Sequence, residues 1–228
     1  MKSVLITGGT VRLGKVIADR LRAEGWRVIT SSHRADAGAD IVIDLAEPMG
    51  PARLYAAALQ LLGGTPPDAL VNNAALFTGD EAAIRAVNLE APKKLTVMMA
   101  GREAGVGAVV NILDSVILGS PGSVGSRGLT LSDFKDSKDP KSPYLASKRE
   151  LLAFTKTAAA TFAATLRVNG VAPGPVMAPT DVHEKAGEML LDRRPTADDV
   201  AAAVSYLLSA EATTGTVIPV DAGQHLLQ

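Results

Sequence analysis

The feature that most constrains this chain is a strand-like run at its N-terminus that ends in a glycine-rich turn. Apolar residues up to Ile6 form the run, and the turn extends from Gly8 to Gly14. A segment with helical spacing begins just past Gly14 and includes Ile17 and Leu21. Glycines let the backbone approach a phosphate, and a helix N-terminus offers free N–H groups to it. This order of strand, turn and helix predicts the start of a dinucleotide-binding fold.

The turn departs from the usual G-x-G-x-x-G spacing of such folds. Gly8 and Gly14 are six residues apart, and Arg12 stands two residues before Gly14. The same composition also fits an ordinary connection between a strand and a helix, so the turn alone does not decide between the two interpretations.

Composition excludes several classes of function. The chain has 228 residues, of which 47% are hydrophobic and 21% charged, which predicts a single domain over residues 1–228. The net charge of −1 and the lack of basic runs argue against binding to nucleic acid or anionic membranes. There is no cysteine, and His33, His183 and His225 lack metal-ligand spacing, so we expect no metal. Without a leader or an apolar run of about 18 residues, a cytoplasmic location is expected.

Strand-like runs alternate with helical patterns along the rest of the chain. Strands are predicted at residues 2–7, 26–30, 40–44, 69–72, 107–113, 166–171 and 216–220. Helices are predicted from just past residue 14 to 24, and at 51–62, 82–100, 143–164 and 198–208. The near-continuous apolar character of residues 107–113 indicates a buried parallel strand. We therefore predict a single α/β domain with a doubly wound (Rossmann) sheet of about seven parallel strands, helices on both faces, and ligands at the carboxyl ends.

One stretch does not follow this alternation. Residues 115–142 are rich in Gly, Ser, Asp and Lys and have weak periodicity. Connections of this length in a compact domain are uncommon unless they cover a site or lack order. We interpret the stretch as a flexible flap over the site, and a solvated surface insertion without a role is the alternative.

Tyr144 and Lys148 lie four residues apart in a predicted helix, so their side chains share one face. An ammonium near a phenol favours the phenolate and lowers the phenol pKa from about 10, which suits proton transfer near neutrality. Taken alone, such a pair is more often a solvated face of a helix.

The pair belongs to an ordered set that spans the chain. This set resembles the classical short-chain dehydrogenase/reductase family, and it comprises Thr7-Gly8 with Gly14, Asn72-Asn73-Ala74-Ala75, Asn88, the fifth-strand end at Asp114, Tyr144 with Lys148, and Pro173-Gly174. The resemblance implies that Tyr144 is the general acid and that Lys148 supports it and holds the nicotinamide ribose. It also implies that Asn88 supports a water-mediated proton relay, whereas the residue type alone equally fits a local hydrogen bond to a carbonyl.

The fifth strand departs from most of that family, because Asp114 stands where a serine usually holds the substrate carbonyl. In this respect the chain resembles the pteridine reductase branch, in which an aspartate takes part in proton delivery to ring nitrogens. A carboxyl group beside a phenol in a low-dielectric pocket can be kept protonated, which suits an imine-type substrate. The alternative is that Asp114 points away and Ser115 takes the serine role after a shift of one residue.

Phe77 follows the fourth strand by a few residues. In the pteridine reductase branch a phenylalanine at this place stacks a flat pterin against the nicotinamide, so the resemblance implies that Phe77, Asp114 and Tyr144 contact the substrate. Aromatic stacking contributes on the order of 1 kcal/mol beyond burial. Ordinary core packing is the alternative for Phe77.

The cofactor is predicted to be NADPH. No carboxylate follows the second strand until Asp36, whereas Arg34 can hold a 2′-phosphate through two charge-assisted hydrogen bonds. His33, Arg12 and Asp44-Leu45 match the cofactor contacts of the pteridine reductase branch, although His33 and Arg34 also fit solvated loop positions. The predicted cofactor-binding residues are Gly8, Arg12, Leu13, Gly14, His33, Arg34, Asp44, Leu45, Asn73, Ala74, Ala75, Tyr144, Lys148, Pro173 and Gly174.

Together these features predict a reductase that transfers a hydride from NADPH to a C=N or C=O bond of a small molecule. A pterin or dihydropterin is the more specific substrate, and a ketone or aldehyde is the alternative. A protein that senses NADPH without turnover would have no need of Tyr144 and Lys148 together. The resemblance also implies a homo-oligomer, a dimer or tetramer assembled through the long helix and the final helix.

Overall fold

A computed structural model of the chain describes residues 1–103, 105–119, 142–176 and 189–227. Within this part of the chain, seven parallel strands form one sheet in the order β3-β2-β1-β4-β5-β6-β7. The strands are β1 Ser3–Thr7, β2 Arg27–Ser32, β3 Ile41–Val42, β4 Ala69–Asn72, β5 Gly107–Ile112, β6 Leu166–Pro173 and β7 Val217–Val220. The strand order reverses between β1 and β4, which creates a crevice at the carboxyl ends of these strands. The predicted doubly wound parallel sheet is confirmed.

Helices cover both faces of the sheet. The helices are α1 Arg12–Ala23, α2 Gly50–Leu61, α3 Glu81–Arg85, α4 Ala91–Ala100, α5 Ser142–Thr161 and α6 Ala197–Ser209. Ile17 of α1 and Val204 of α6 pack with β1 on one face. Leu54 of α2, Leu95 of α4 and Ala158 of α5 pack in a second core on the opposite face. The central strands β1, β4, β5 and β6 are therefore buried on both sides, which explains the near-continuous apolar runs of the sequence.

Two helix ends are fixed by local features of the sequence. Gly25 follows α1 with a φ of 86°, and the neighbouring Trp26 N–H donates to the Leu21 carbonyl at 3.0 Å. Glycine tolerates this left-handed conformation, so the helix ends there and β2 begins. Thr196 caps α6: its hydroxyl accepts from the Asp199 N–H, while the Asp199 carboxylate accepts from the Thr196 N–H. This capping box fixes the start of the helix.

Several bounds differ from the predicted ones for identifiable reasons. Strand β3 contains only Ile41–Val42 rather than residues 40–44. Asp40 is instead an anchor, because its carboxylate accepts from the backbone N–H and the hydroxyl of Thr30, both at 2.7 Å. The helix predicted at residues 82–100 contains a π-helical turn, Ala86–Glu90, between α3 and α4.

The predicted flap falls largely outside the described residues. Its first four residues, Ser115–Leu118, form a 3-10 helix, and its last residue, Ser142, begins α5. Residues 120–141 lie outside the part of the chain that the structure describes.

None of the helices in the described residues combines the length and the hydropathy that crossing a bilayer requires.

Candidate active site

A cavity of about 400 Å³ lies at the carboxyl ends of the central strands. Among the residues predicted for the cofactor or for catalysis, those that line it are Gly8, Arg12, Leu13, Gly14, His33, Arg34, Leu45, Asn73, Ala74, Ala75, Asp114, Tyr144, Lys148, Pro173 and Gly174. Asp44 and Asn88 are not in its lining, and neither is Phe77. The fold therefore brings residues from seven separate parts of the sequence to one cavity, as expected at the switch point of a doubly wound sheet.

The glycine turn is held closely against the end of β4. The Thr7 hydroxyl accepts from the backbone N–H groups of Asn73 and Ala74, and the Asn73 side chain donates to the Thr7 and Gly8 carbonyls, all at 3.0 Å. A Cβ on Gly14 would lie 2.0 Å from the Gly8 carbonyl oxygen. Only glycine at position 14 permits this close approach of helix α1 to the turn.

Two features of this turn suit an anionic ligand. The hydroxyl of Thr10 is buried without a hydrogen-bond partner among the described residues, and Thr10 lines the cavity. A buried unsatisfied hydroxyl is unfavourable, so it points to a ligand that supplies the missing hydrogen bond. Arg12 begins α1 and has a φ of 49°. A residue other than glycine is strained in this conformation, and such strain commonly marks a functional position. These residues fit a dinucleotide diphosphate.

Tyr144 and Asp114 meet at the wall of the cavity. The Tyr144 hydroxyl donates to Asp114 Oδ2 at 2.9 Å, and Asp114 Oδ1 accepts from the Val116 N–H at 3.0 Å. The Asp114 carboxyl group thus faces the phenol rather than pointing away. Ser115 is fully buried and its hydroxyl has no partner in the described residues. The pair can therefore share a proton next to the cavity.

Lys148 lies one turn further along α5 and is 3% exposed. Its ammonium donates to the Ile112 carbonyl at 2.7 Å and lies 5.6 Å from the centre of the Tyr144 ring. Burial lowers the pKa of Lys148 to about 8, although the nearby Asp114 charge opposes this shift. Below this pH a buried positive charge stands beside the phenol, where it stabilises a phenolate.

The stability of the protein should depend on pH through Lys148. Its pKa in the folded state is about 8, against 10.5 for an ordinary lysine. Below pH 8 both the folded and the unfolded protein carry the proton on Lys148. The folded protein then bears the full free-energy cost of burying this charge. As the pH rises from about 8 to about 10.5, the folded state loses its proton first, so stability rises relative to Lys148→Met by on the order of 3 kcal/mol. Urea unfolding across this pH range measures the difference.

Lys156→Met provides the matched control, because Lys156 is an exposed lysine of the same helix. We expect the difference in unfolding free energy between this control and the parent protein to stay constant with pH. The same constancy for Lys148→Met would contradict the burial of its charge.

Asn88 sits in the π-helical turn and is fully buried. Its side-chain oxygen accepts from the Leu76 N–H at 2.8 Å, and its amide nitrogen donates to the Leu76 carbonyl at 2.9 Å and the Ser147 hydroxyl at 3.2 Å. The side chain therefore ties the segment after β4 to helix α5. Local hydrogen bonding of this type was the alternative to a role in a proton relay, which stays a prediction.

Phe77 follows the segment that Asn88 holds. Its ring centre lies 4.9 Å from that of Tyr144, with 57° between the ring planes. This is a favourable tilted aromatic contact. Phe77 is therefore a neighbour of the phenol, although it is not part of the cavity lining itself.

At the other end of the cavity, His33 and Arg34 are exposed side chains that line it after β2. Leu45 lines it as well, whereas Asp44 is exposed and accepts from the Ala46 N–H at 2.8 Å. Sequence reasoning missed Thr10, Leu76, Val87 and Val176, which also line the cavity. The position of Thr10 inside the glycine turn was the signal that could have identified it.

The comparisons with known proteins agree with this geometry. A family model described as enoyl-(acyl carrier protein) reductase matches residues 11–225. The proposed ketoacyl reductase 2 of the granaticin polyketide synthase of Streptomyces violaceoruber is 32% identical, over 98% of this chain and 96% of that protein.

Two solved structures extend the comparison. FolM alternative dihydrofolate reductase 1 from Brucella canis, complexed with NADP, is 29% identical with a TM-score of 0.79, over 99% of this chain and 94% of that one. The 3-alpha-hydroxysteroid dehydrogenase from Pseudomonas sp. B-0831, complexed with NADH, has a TM-score of 0.81 at 23% identity, over 99% and 98% of the two chains, which supports the fold. The chain therefore belongs to the short-chain dehydrogenase/reductase family of NAD(P)-dependent oxidoreductases.

Proposed function

We propose that this protein is an NADPH-dependent reductase that acts on a ring C=N bond of a pterin or dihydropterin. The observation that carries the proposal is the hydrogen bond of 2.9 Å between the Tyr144 hydroxyl and the Asp114 carboxylate at the cavity wall. A carboxyl group and a phenol that share a proton suit a ring nitrogen, which needs a proton when the neighbouring carbon is reduced.

The residues around the glycine turn would hold the cofactor. Gly8 and Gly14 allow its diphosphate to approach the N-terminus of α1, and Thr10 offers a hydroxyl there. Arg12 and Arg34 line the cavity and provide positive charge for a 2′-phosphate. The NADP in the FolM structure from Brucella canis supports the choice of NADPH. When bound, NADPH supplies the hydride.

The chain's own residues would supply the proton. Tyr144 and Asp114 deliver it to the ring nitrogen, so that C=N becomes CH–NH. Lys148 lies 5.6 Å from the phenol ring and stabilises the negative charge that remains on the Tyr144–Asp114 pair. The Ile112 carbonyl fixes the ammonium in this place. Each group thus has a defined role in moving or balancing one proton.

The pterin preference has two supports. Phe77 lies 4.9 Å from Tyr144 and provides an aromatic surface beside the proton donors, which suits a flat heteroaromatic ring. Two FolM alternative dihydrofolate reductases, from Brucella canis and Brucella suis, are 29% and 28% identical to this chain over nearly its full length.

Reduction of a ketone is the second candidate. The 32% identity to the proposed ketoacyl reductase of Streptomyces violaceoruber favours it. A ketone needs a proton on oxygen, which Tyr144 alone can donate, so Asp114 would then have no essential part.

Asp114→Ser distinguishes the two candidates because it installs the residue that most of the family carries. We expect NADPH oxidation with a dihydropterin to fall by about two orders of magnitude, since the ring nitrogen loses a proton donor. Steady-state NADPH oxidation should be measured with a dihydropterin and with a panel of ketones and aldehydes, for both proteins. Activity of the parent protein on carbonyl compounds alone would reject the pterin substrate.

We also propose that the protein forms a homo-oligomer through α5 and α6. Ala153 and Ala160 of α5 are exposed, and their small side chains would permit close packing of this helix against a second copy.

A further inference from the structure

The side chain of Arg34 is already engaged by a carboxylate of its own loop. Its Nε donates to Asp36 Oδ1 at 3.0 Å and its Nη2 donates to Asp36 Oδ2 at 2.7 Å. A guanidinium has five N–H donors, and this two-pronged contact uses the edge that binds a carboxylate or a phosphate side-on. Only the end-on edge of Arg34 is then left for an anionic ligand.

The loop that carries this pair is held at both ends. The Arg34 N–H donates to the Ser32 hydroxyl at 3.0 Å, and Thr30 binds the Asp40 carboxylate through its N–H and its hydroxyl. Gly38 follows the short 3-10 helix Ala35–Ala37 with a φ of 64°. Asp36 is thus held in a defined place next to Arg34, which lines the cavity.

Asp36 is negatively charged under ordinary conditions. The hydrogen bonds from Arg34 lower the pKa of Asp36 further below its ordinary value of 3.8. Its side chain is 70% exposed and that of Arg34 is 57% exposed, so the pair is weak and an incoming phosphate can compete with it. A phosphate on the end-on edge would at the same time experience the negative charge of Asp36.

We infer that Asp36 limits the preference of this protein for the 2′-phosphorylated cofactor by competing with that phosphate for Arg34. This inference depends on the proposed binding of NADP(H). Asp36 acts through Arg34 and is therefore a positioning residue that determines cofactor specificity. We expect the parent protein to bind both NADP⁺ and NAD⁺. Its ratio of NADP⁺ to NAD⁺ affinity should be smaller than in a protein whose Arg34 has no competing carboxylate.

Isothermal titration calorimetry with NADP⁺ and with NAD⁺ tests this inference without any catalytic readout. In Asp36→Asn we expect the affinity for NADP⁺ to rise about threefold to fivefold and that for NAD⁺ to stay nearly constant. The gain should shrink as the salt concentration increases, because the pair and the phosphate are exposed to solvent. A merely structural role of Asp36 would change both affinities together.

Two further variants complete the test. Glu103→Gln removes one negative charge from an exposed residue at the amino end of the central strand β5, whereas the cavity lies at the carboxyl ends of the strands, and it should leave both affinities unchanged. In an Arg34→Gln background, Asp36 has no guanidinium to compete for. Asp36→Asn should then change the ratio of NADP⁺ to NAD⁺ affinity less than twofold, which is roughly the deviation from additivity found for independent sites.

The possible outcomes separate this inference from the proposed function. An unchanged or reduced ratio of affinities in Asp36→Asn would overturn the inference and leave the proposed function intact. If neither cofactor binds the parent protein, both are wrong.

Discussion

Tyr144→Phe should lower the turnover number by at least about two orders of magnitude while NADPH binds with nearly unchanged affinity. The substitution removes only the hydroxyl that donates to Asp114 at 2.9 Å. The aromatic ring remains, and with it the contacts to Phe77 and to the Lys148 ammonium. If Tyr144→Phe loses turnover but still binds NADPH, the loss is therefore due to the missing proton donor and not to a disrupted site.

Steady-state NADPH oxidation and calorimetric titration of NADP⁺ measure the two effects separately. Tyr206→Phe is the matched control, because it removes a hydroxyl from an exposed tyrosine of α6. It should leave both quantities unchanged. A turnover number of Tyr144→Phe within a few fold of the parent value would exclude Tyr144 as a proton donor and leave that role to Asp114.

Gly14→Ala should have the second largest effect, on both stability and cofactor binding. The added Cβ would lie 2.0 Å from the Gly8 carbonyl oxygen and 2.5 Å from the side-chain nitrogen Nδ2 of Asn73. Helix α1 and the turn must then move apart, which we expect to lower the free energy of unfolding by about 1–3 kcal/mol. The shift also disrupts the turn that we propose to hold the cofactor diphosphate, so NADP⁺ affinity should fall at least about tenfold.

Urea unfolding and calorimetric titration measure these changes. Gly101→Ala is the control, because its Cβ would meet only the Met98 carbonyl at 3.5 Å and its φ is −73°. Alanine readily adopts this φ, and 3.5 Å is an ordinary van der Waals contact. We therefore expect little change in stability or in NADP⁺ affinity for Gly101→Ala. Parent-like stability and affinity in Gly14→Ala would mean that the turn is not closely packed.

The sheet could be predicted from the sequence because its central strands are buried on both faces. Residues 107–112 are apolar except for Asn111, and all of them are buried in the structure. The bounds of β3 could not be predicted in the same way. In the sequence, Asp40 and Ile41 both look like parts of one short strand. In the structure, however, the Asp40 carboxylate accepts hydrogen bonds from Thr30, a residue ten positions earlier. A contact at this range has no local signal.

The candidate site likewise has features that the sequence could predict and features that it could not. Tyr144 and Lys148 were predictable because both lie four residues apart on one helix, and the structure shows them side by side. The environment of Lys148 was not predictable, because its burial and its bond to the Ile112 carbonyl depend on how α5 packs against β5. The sequence also favoured Arg34 as a phosphate ligand without indicating that Asp36 already binds it.

The π-helical turn Ala86–Glu90 shows a further limit of pattern reading. Its residues have the apolar spacing of a helix, so residues 82–100 look like one continuous element in the sequence. The turn nevertheless carries Asn88, whose amide binds Leu76 and Ser147. Such turns are frequent at functional sites, but a small change in helical period leaves almost no trace in a short sequence window.

The most direct test of dihydropterin reduction by this protein follows the hydride itself. The purified protein is incubated with a dihydropterin and NADPH deuterated at the nicotinamide hydride position, and the products are analysed by mass spectrometry and NMR. We expect NADP⁺ and a tetrahydropterin that carries one deuterium on a ring carbon. A dihydropterin that stays unreduced and unlabelled, under conditions in which NADPH binds, would contradict this expectation.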